Sequence, residues 1–186
     1  MAFDIASFKS NLRNGGARPN LFEVEVGNPI DGSADSVFRF HCRAAQLPAS
    51  TIPAIDVPYF GRQVRMAGNR TFEPWTVTIL NDEDFAIREK IMNWMYRLSG
   101  QADGTRDDSN GITDSPGEAI VTQVDVSGSD VQSWKFYKLW PTELSEIALD
   151  WSSDAVEEFT CTWSYDYWSH GTGSTTDNVV SGTVST

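Results

Sequence analysis

"EEFTCTWSYDYW", residues 157–168, alternates Phe159, Cys161, Trp163, Tyr165 and Tyr167 with Glu158, Thr160, Thr162, Ser164 and Asp166. Successive side chains of an extended chain point to opposite faces, so this period of two predicts one strand with an aromatic dry face. Its wet face holds no large apolar group. Such a strand covers a core on one side only, which is the habit of antiparallel sheets.

The pattern repeats away from this stretch. "NLFEVEVG" (20–27) sets Phe22, Val24 and Val26 against Glu23 and Glu25. "SVFRFHCRAA" (36–45) sets Phe38, Phe40, Cys42 and Ala44 against Arg39, His41 and Arg43, with "NPIDGSAD" before it as a hairpin loop. "AIVTQVDVSG" (119–128), "VQSWKFYKLWP" (131–141) and "TELSEIALDW" (142–151) supply further strands. In "RTFEPWTVTIL" (70–80), Phe72 and Trp75 both face inward only if a bulge near Glu73 and Pro74 shifts the register.

"NDEDFAIREKIMNWMYRLSG" (81–100) carries the strong helical pattern. Asn81 stands where a cap is needed, Asp82, Glu83 and Asp84 follow it, and Arg97 lies in the last turn before Gly100, matching the macrodipole at both ends. Ile87, Ile91, Trp94 and Leu98 form one stripe; Phe85, Met92 and Tyr96 form a second, with Met95 between. One stripe covers a sheet, and the second needs either more protein of its own or a neighbouring subunit, the latter favoured because there is one helix. Together these elements predict a single domain over 1–168: mainly β, an antiparallel sandwich or barrel, with one flanking helix over 81–99. Residues 101–118 read as a polar surface loop, and 169–186 as a Gly/Ser/Thr-rich C-terminal extension too polar to fold by itself.

"QLPASTIPAIDVPYF" (46–60) is harder to place. Pro48, Pro53 and Pro58 lack the N–H that a helix or an inner strand must donate. Yet Ile52, Ile55, Val57, Tyr59 and Phe60 are too apolar for a free loop. Residues 46–70, which end in the basic "GRQVRMAGNR", therefore read as an arm that lies on another surface.

Composition removes several function classes. The chain has 186 residues and a formal net charge of -12, whereas tight nucleic-acid binding relies on Lys and Arg to neutralise phosphates. No apolar run reaches the roughly 18 residues of a membrane span, and the N-terminus shows no secretory pattern, which predicts folding in a cytoplasm without a membrane anchor. Cys42 and Cys161 fall at apolar strand positions as buried free thiols. His41 beside Cys42 points to the opposite face, and His170 is the other histidine, so no metal site is expected. Asp82, Glu83 and Asp84 start a helix, while Glu157 and Glu158 face opposite ways, which leaves no carboxylate pair for glycoside cleavage. Phosphate-binding glycine loops and the HExxH and GxSxG patterns are lacking too. No catalytic residue and no cofactor is predicted. A carbohydrate-binding module is the rival reading, but Trp75, Trp134, Trp140 and Trp163 fall in core phase and leave Trp151 and Trp168 as the exposed indoles.

Taken in order, "RPNLFEVEV", "FRFHCRAAQLP", "VPYFGRQVRMAGNRTFEPWTVTILNDEDFAIREKIMNW", "VTQVDVSGSDVQSWKFYKLWPTELSEIALDW" and "VEEFTCTWSYDYW" resemble the tail tube proteins of T-even-like contractile bacteriophages over roughly residues 18–168. The resemblance implies a subunit whose sheets join edge to edge in six-fold rings into a continuous inner β-barrel. Rings stack into a tube inside a contractile sheath, between baseplate and tail terminator, and viral DNA passes through into the host. It implies a structural virion protein, not an enzyme. Tubes of related contractile injection particles and of type VI-like secretion systems share the subunit fold and are the alternative. On this reading Ile52, Ile55, Val57, Tyr59 and Phe60 of the arm, with Phe85, Met92 and Tyr96 of the helix, are intersubunit contacts. Glu158, Thr160, Thr162, Ser164 and Asp166 line the bore, with Glu23 and Glu25 joining them. Arg39, His41 and Arg43 cut the other way: if they also face the bore, they pair with those carboxylates or form a basic band.

Overall fold

The computed structural model describes residues 16–29, 41–100, 117–152 and 154–171, together with residues 5, 10 and 11. In chain order the elements are β1 (Phe22–Gly27), β2 (Cys42–Ala45), β3 (Ser50–Thr51), β4 (Ala54–Tyr59), β5 (Arg62–Ala67), β6 (Thr71–Phe72), β7 (Trp75–Leu80), α1 (Ala86–Leu98), β8 (Gly117–Val124), β9 (Asp130–Leu144), β10 (Glu158–Ser164) and β11 (Tyr167–Gly171). The expected strand residues 36–40, the loop residues 30–35 and residues 101–116 of the expected 101–118 loop, and the tail 172–186 lie outside the described residues, while Gly117 and Glu118, expected to end that loop, open β8 because they pair with β9 and β1.

Strand β9 organises the domain. Its first part pairs with β8 and β11 and its last part with β10, all antiparallel. Between the two parts Lys138 takes φ 55, and the register skips so that Gly117 faces Leu139 while Ala119 faces Phe136. A bulge of this kind bends a strand and re-aims the residues beyond it. One layer is therefore β1-β8-β9-β11 and the other β9-β10-β7-β2. Their dry faces meet: Trp75 stacks on Phe136 with ring centroids 4.5 Å apart, and Tyr165 packs edge-on to Phe136 at 4.9 Å. Val24, Val26, Ala119 and Val121 line one side of this core; Val77, Ile79, Phe159, Cys161 and Trp163 line the other. Helix α1 adds Ile87, Ile91 and Trp94, and Trp94 lies 5.5 Å from Trp163.

The bend accounts for most departures from the sequence reading. Residues 157–168 are not one strand: β10 ends at Ser164, and β11 starts at Tyr167 in the other layer. The partner strand changes layer at Lys138, so its neighbour must break at the same level. There Asp166 donates its N–H to the Tyr137 carbonyl at 3.1 Å, and its carboxylate meets Lys138 at 3.0 Å. Strand β11 then uses Ser169–Gly171, three residues expected in the tail. Past the bend, Trp140 is thrown to the solvent side, while Trp168 packs against the core instead of standing free. Strand β9 runs on through Pro141 to Leu144; a proline is tolerated there because this part pairs with β10 alone among the described strands. Residues 145–150 are not strand.

Two more expectations are corrected. Asn81 does not cap α1: its backbone and side-chain amides donate to the Glu157 carbonyl at 2.9 Å and to Glu157 Oε2 at 3.0 Å. The helix starts at Ala86 after Phe85 in the left-handed region, and Asp84 accepts the Ala86 N–H at 3.2 Å. His41 has helical backbone, and a register shift at Arg43 takes Cys42 and Ala44 off a common face. The break at Glu73 and Pro74 does turn both Phe72 and Trp75 toward the core.

Candidate assembly surfaces

The arm is a strand hairpin. Residues Tyr59 and Arg62 close β4 and β5 around Phe60 and Gly61, whose φ values are 46 and 75. Positive φ at both central residues gives a turn whose twist suits a two-residue hairpin, with glycine at its second position. Counted back from that hydrogen-bonded closing pair, Pro58 opposite Gln63 falls at a non-bonded position, so its missing N–H costs the pair nothing. That explains how a proline-bearing run becomes a strand after all. At the base, Gly68 donates to the Pro53 carbonyl at 2.7 Å, and a Cβ on Gly68 would sit 2.8 Å from that oxygen. Strands β3 and β6 then carry the ribbon back to β2 and β7.

Register sorts the hairpin's faces. Ile55, Val57, Tyr59, Val64 and Met66 share one face; Asp56 and Arg65 pair at 3.3 Å on the other. Every residue from 50 to 67 is exposed, Phe60 at the tip by 91%. A two-stranded hairpin alone is marginal in water, and an apolar face of this extent makes the hairpin a candidate contact surface. Ile52 is exposed at its foot. Sequence reasoning missed Val64 and Met66; the Phe-Gly pair between two alternating runs was the signal for them.

On α1, Phe85, Met92 and Tyr96 are exposed as a stripe, opposite Ile87, Ile91 and Trp94. Beyond β9, Leu149 and Trp151 are also exposed, on a turn in which the Asp150 carboxylate accepts from the Ser152 N–H and hydroxyl.

The remaining surface is the wet face of the β9-β10-β7-β2 layer. Thr160 pairs with Thr78 and Thr162 with Thr76, and Ser164 lies opposite Trp140, giving a patch of hydroxyls. Its carboxylates are matched: Glu158 meets Arg43, and Asp166 meets Lys138, whose pKa that hydrogen bond raises. Glu23 and Glu25 instead lie on the wet face of β1, in the other layer. The dry faces of the two layers meet, so their wet faces point in opposite directions. A single bore lined by Thr160 and Thr162 cannot also be lined by Glu23 and Glu25.

Burial pushes the thiols of Cys42 and Cys161 up to about 12, far from a reactive thiolate. Among the described residues no group of three or more His, Cys, Asp or Glu could hold a metal, and no helix is long and apolar enough to cross a membrane.

Comparison with known proteins joins these surfaces to a class. Residues 17–171 match the phage tail tube protein family. The chain is 37% identical over 159 residues to the tail tube protein gp19 of Enterobacteria phage T4, covering 82% of this chain and 90% of that one. Two solved structures share its fold at 12% identity. A chain of the anti-feeding prophage baseplate superposes with TM-score 0.65, covering 84% of this chain and 95% of that one. A chain of the extended sheath–tube complex of the PVC extracellular contractile injection system does so with TM-score 0.60, covering 92% and 99%. A two-layer β-subunit with an uncovered hairpin, a hydroxyl-lined sheet and family identity along most of its length has one reading: the chain belongs to the phage tail tube protein family, a structural part of the contractile phage tail.

Proposed function

We propose that six copies close into a ring by pairing β2 of one subunit with the end of β9 in the next, and that rings stack through the hairpin arm. The observation that carries this is the four-stranded layer β9-β10-β7-β2, in which, among the described strands, the end of β9 and β2 each have a side without a partner, and whose wet face is polar. Unpaired edges are a liability that ring closure removes. With four strands per subunit, about 4.8 Å apart and tilted by about 40°, the closed barrel has a backbone diameter of roughly 50 Å. That bore conducts the genome during ejection. Its hydroxyls and matched ion pairs present DNA with little net cationic charge, so the duplex slides and does not bind. Glu23 and Glu25 then face outward toward the sheath, and baseplate and terminator proteins occupy the tube's ends. Assembly takes place in the host cytoplasm. Met92 and Tyr96 of the side stripe meet the adjacent subunit, and Phe85, at the head of the stripe, makes an intersubunit contact of its own.

Negative-stain microscopy of the purified protein tests this: annular particles or hollow tubes are expected, and a population of monomers alone at micromolar concentration overturns it. The bore has its own test. Glu158→Lys puts a second cation beside Arg43 and repeats it around every ring, while Asp166→Lys does the same beside Lys138. Phage carrying both substitutions should assemble normal tubes and eject DNA several-fold more slowly at low salt, with high salt restoring the rate. Ejection at the unaltered rate under both conditions rules out this face as the lumen.

A further inference from the structure

Strand β7 begins at Trp75, where the ribbon of β3 and β6 enters it, and ends at Leu80; β10 runs the other way, with Glu158 opposite Leu80 and Trp163 opposite Trp75. The arm thus leaves from one end of these strands. At the other end, roughly 20 Å away for a six-residue strand, a groove of about 620 Å³ opens between residues 81–85 and 154–157. Phe85 and Val156 are its exposed apolar lining, with Ala155 beside them. Carboxylates of Asp82, Glu83, Asp154 and Glu157 stand around them. The groove is preformed: Asn81 ties both walls together through its two bonds to Glu157, and Phe85 N–H donates to the Asp82 carbonyl at 3.0 Å.

The arm has the complementary character. In a chain of net charge -12, residues 50–72 hold Arg62, Arg65 and Arg70 against a single acid, Asp56. At its tip Tyr59 and Phe60 form an edge-to-face aromatic pair with centroids 4.8 Å apart, next to Arg62.

We propose that the groove between residues 81–85 and 154–157 is the socket for the hairpin tip of a second copy in the next ring, with Phe60 and Tyr59 on Phe85 and Val156, and Arg62 toward Glu83 and Asp154. This rests on the stacked-ring reading and adds the acceptor to it. Plug and socket are different surfaces at opposite ends of one sheet, so the contact is head-to-tail. Such contacts repeat without closing and generate a filament of fixed polarity. Opposite charge at the rim steers the tip in and disfavours tip-to-tip or socket-to-socket encounters, which would oppose like charges.

Paired cysteines test the seat directly. Phe60→Cys with Val156→Cys in one chain, oxidised after tube assembly, should give a ladder of covalent multimers on a non-reducing gel. Both variants are made in a Cys42→Ser background, because Cys42, expected to be buried, is only half-buried whereas Cys161 is fully buried, and neither single variant should give the ladder. Charge exchange is the second measurement: Arg62→Glu should slow tube growth by roughly tenfold with rings still present, and Glu83→Lys with Asp154→Lys in the same chain should restore most of it. Tubes of wild-type length that give no ladder and ignore the charge exchange overturn the socket while sparing the ring. Failure of the wild-type protein to make rings at all overturns the reading beneath it.

Discussion

Joining Pro53 to Gly68 through an Asn-Gly turn, so that residues 54–67 are removed, is expected to leave a folded subunit that closes rings and stacks none of them. Pro53 and Gly68 are already bonded at 2.7 Å, so a two-residue turn bridges them without strain. Every deleted residue is exposed and none belongs to the core, so thermal stability should stay within a few degrees of the parent. Assembly is another matter. Six apolar side chains, each covering roughly 60 Å² more on docking, contribute on the order of 9 kcal/mol per arm before costs. Bringing two bodies together costs about 4–15 kcal/mol, so one arm acting alone roughly breaks even. A closed ring presents all its arms at once and meets that cost a single time, which makes stacking strong only between rings and abolishes it when the arms go. Electron microscopy of the shortened protein should show rings without tubes. Tubes of ordinary length from that protein refute the arm's role.

The same hairpin shows what was legible beforehand. Prolines at 48, 53 and 58 ruled out an inner strand, and the run forms an outlying hairpin instead; the apolar residues between them, for which an outside surface was expected, stand exposed. The strand itself was hidden because Pro58 is compatible with β-structure only in one register, and register depends on the turn at Phe60 and Gly61. The wet face of β10 was legible from its period of two, since alternation is a local property. Its break at Tyr165 and Asp166 was not, because Lys138, far away in sequence, imposes it through pairing. Asn81 looked like a helix cap for local reasons and was claimed by Glu157, a partner just before β10. Glu23 and Glu25 looked interchangeable with Glu158; only the order of strands reveals that they sit on opposite layers. Properties fixed within a few residues could be read, and properties fixed by a distant partner could not.

Gly117 depends on distant partners to the same degree, and substituting it should have the largest effect on the fold. A Cβ there would stand 2.3 Å from Cη2 of Trp94, 2.8 Å from Cζ2 and 2.7 Å from the Gly27 carbonyl. The indole cannot yield easily: Trp94 is fully packed, 5.5 Å from Trp163 in the centre of the core. The carbonyl cannot yield either, since β1 and β8 are paired along this stretch. Gly117→Ala should therefore cost about 3 kcal/mol, at the upper end for overpacking, and lower Tm by about 6–12 °C in a domain of this size. Adding Trp94→Phe vacates the space the methyl needs and should give back part of that loss, a non-additivity expected only of residues in contact. Helix α1 follows directly on Phe85 and carries Met92 and Tyr96 on its outer face, so displacing Trp94 also shifts the surfaces offered to other copies. Tube yield from Gly117→Ala should fall at temperatures where the subunit is still folded. A Tm within about 2 °C of the parent, with no coupling to Trp94→Phe, would show that the core between β8 and α1 is looser than this packing requires.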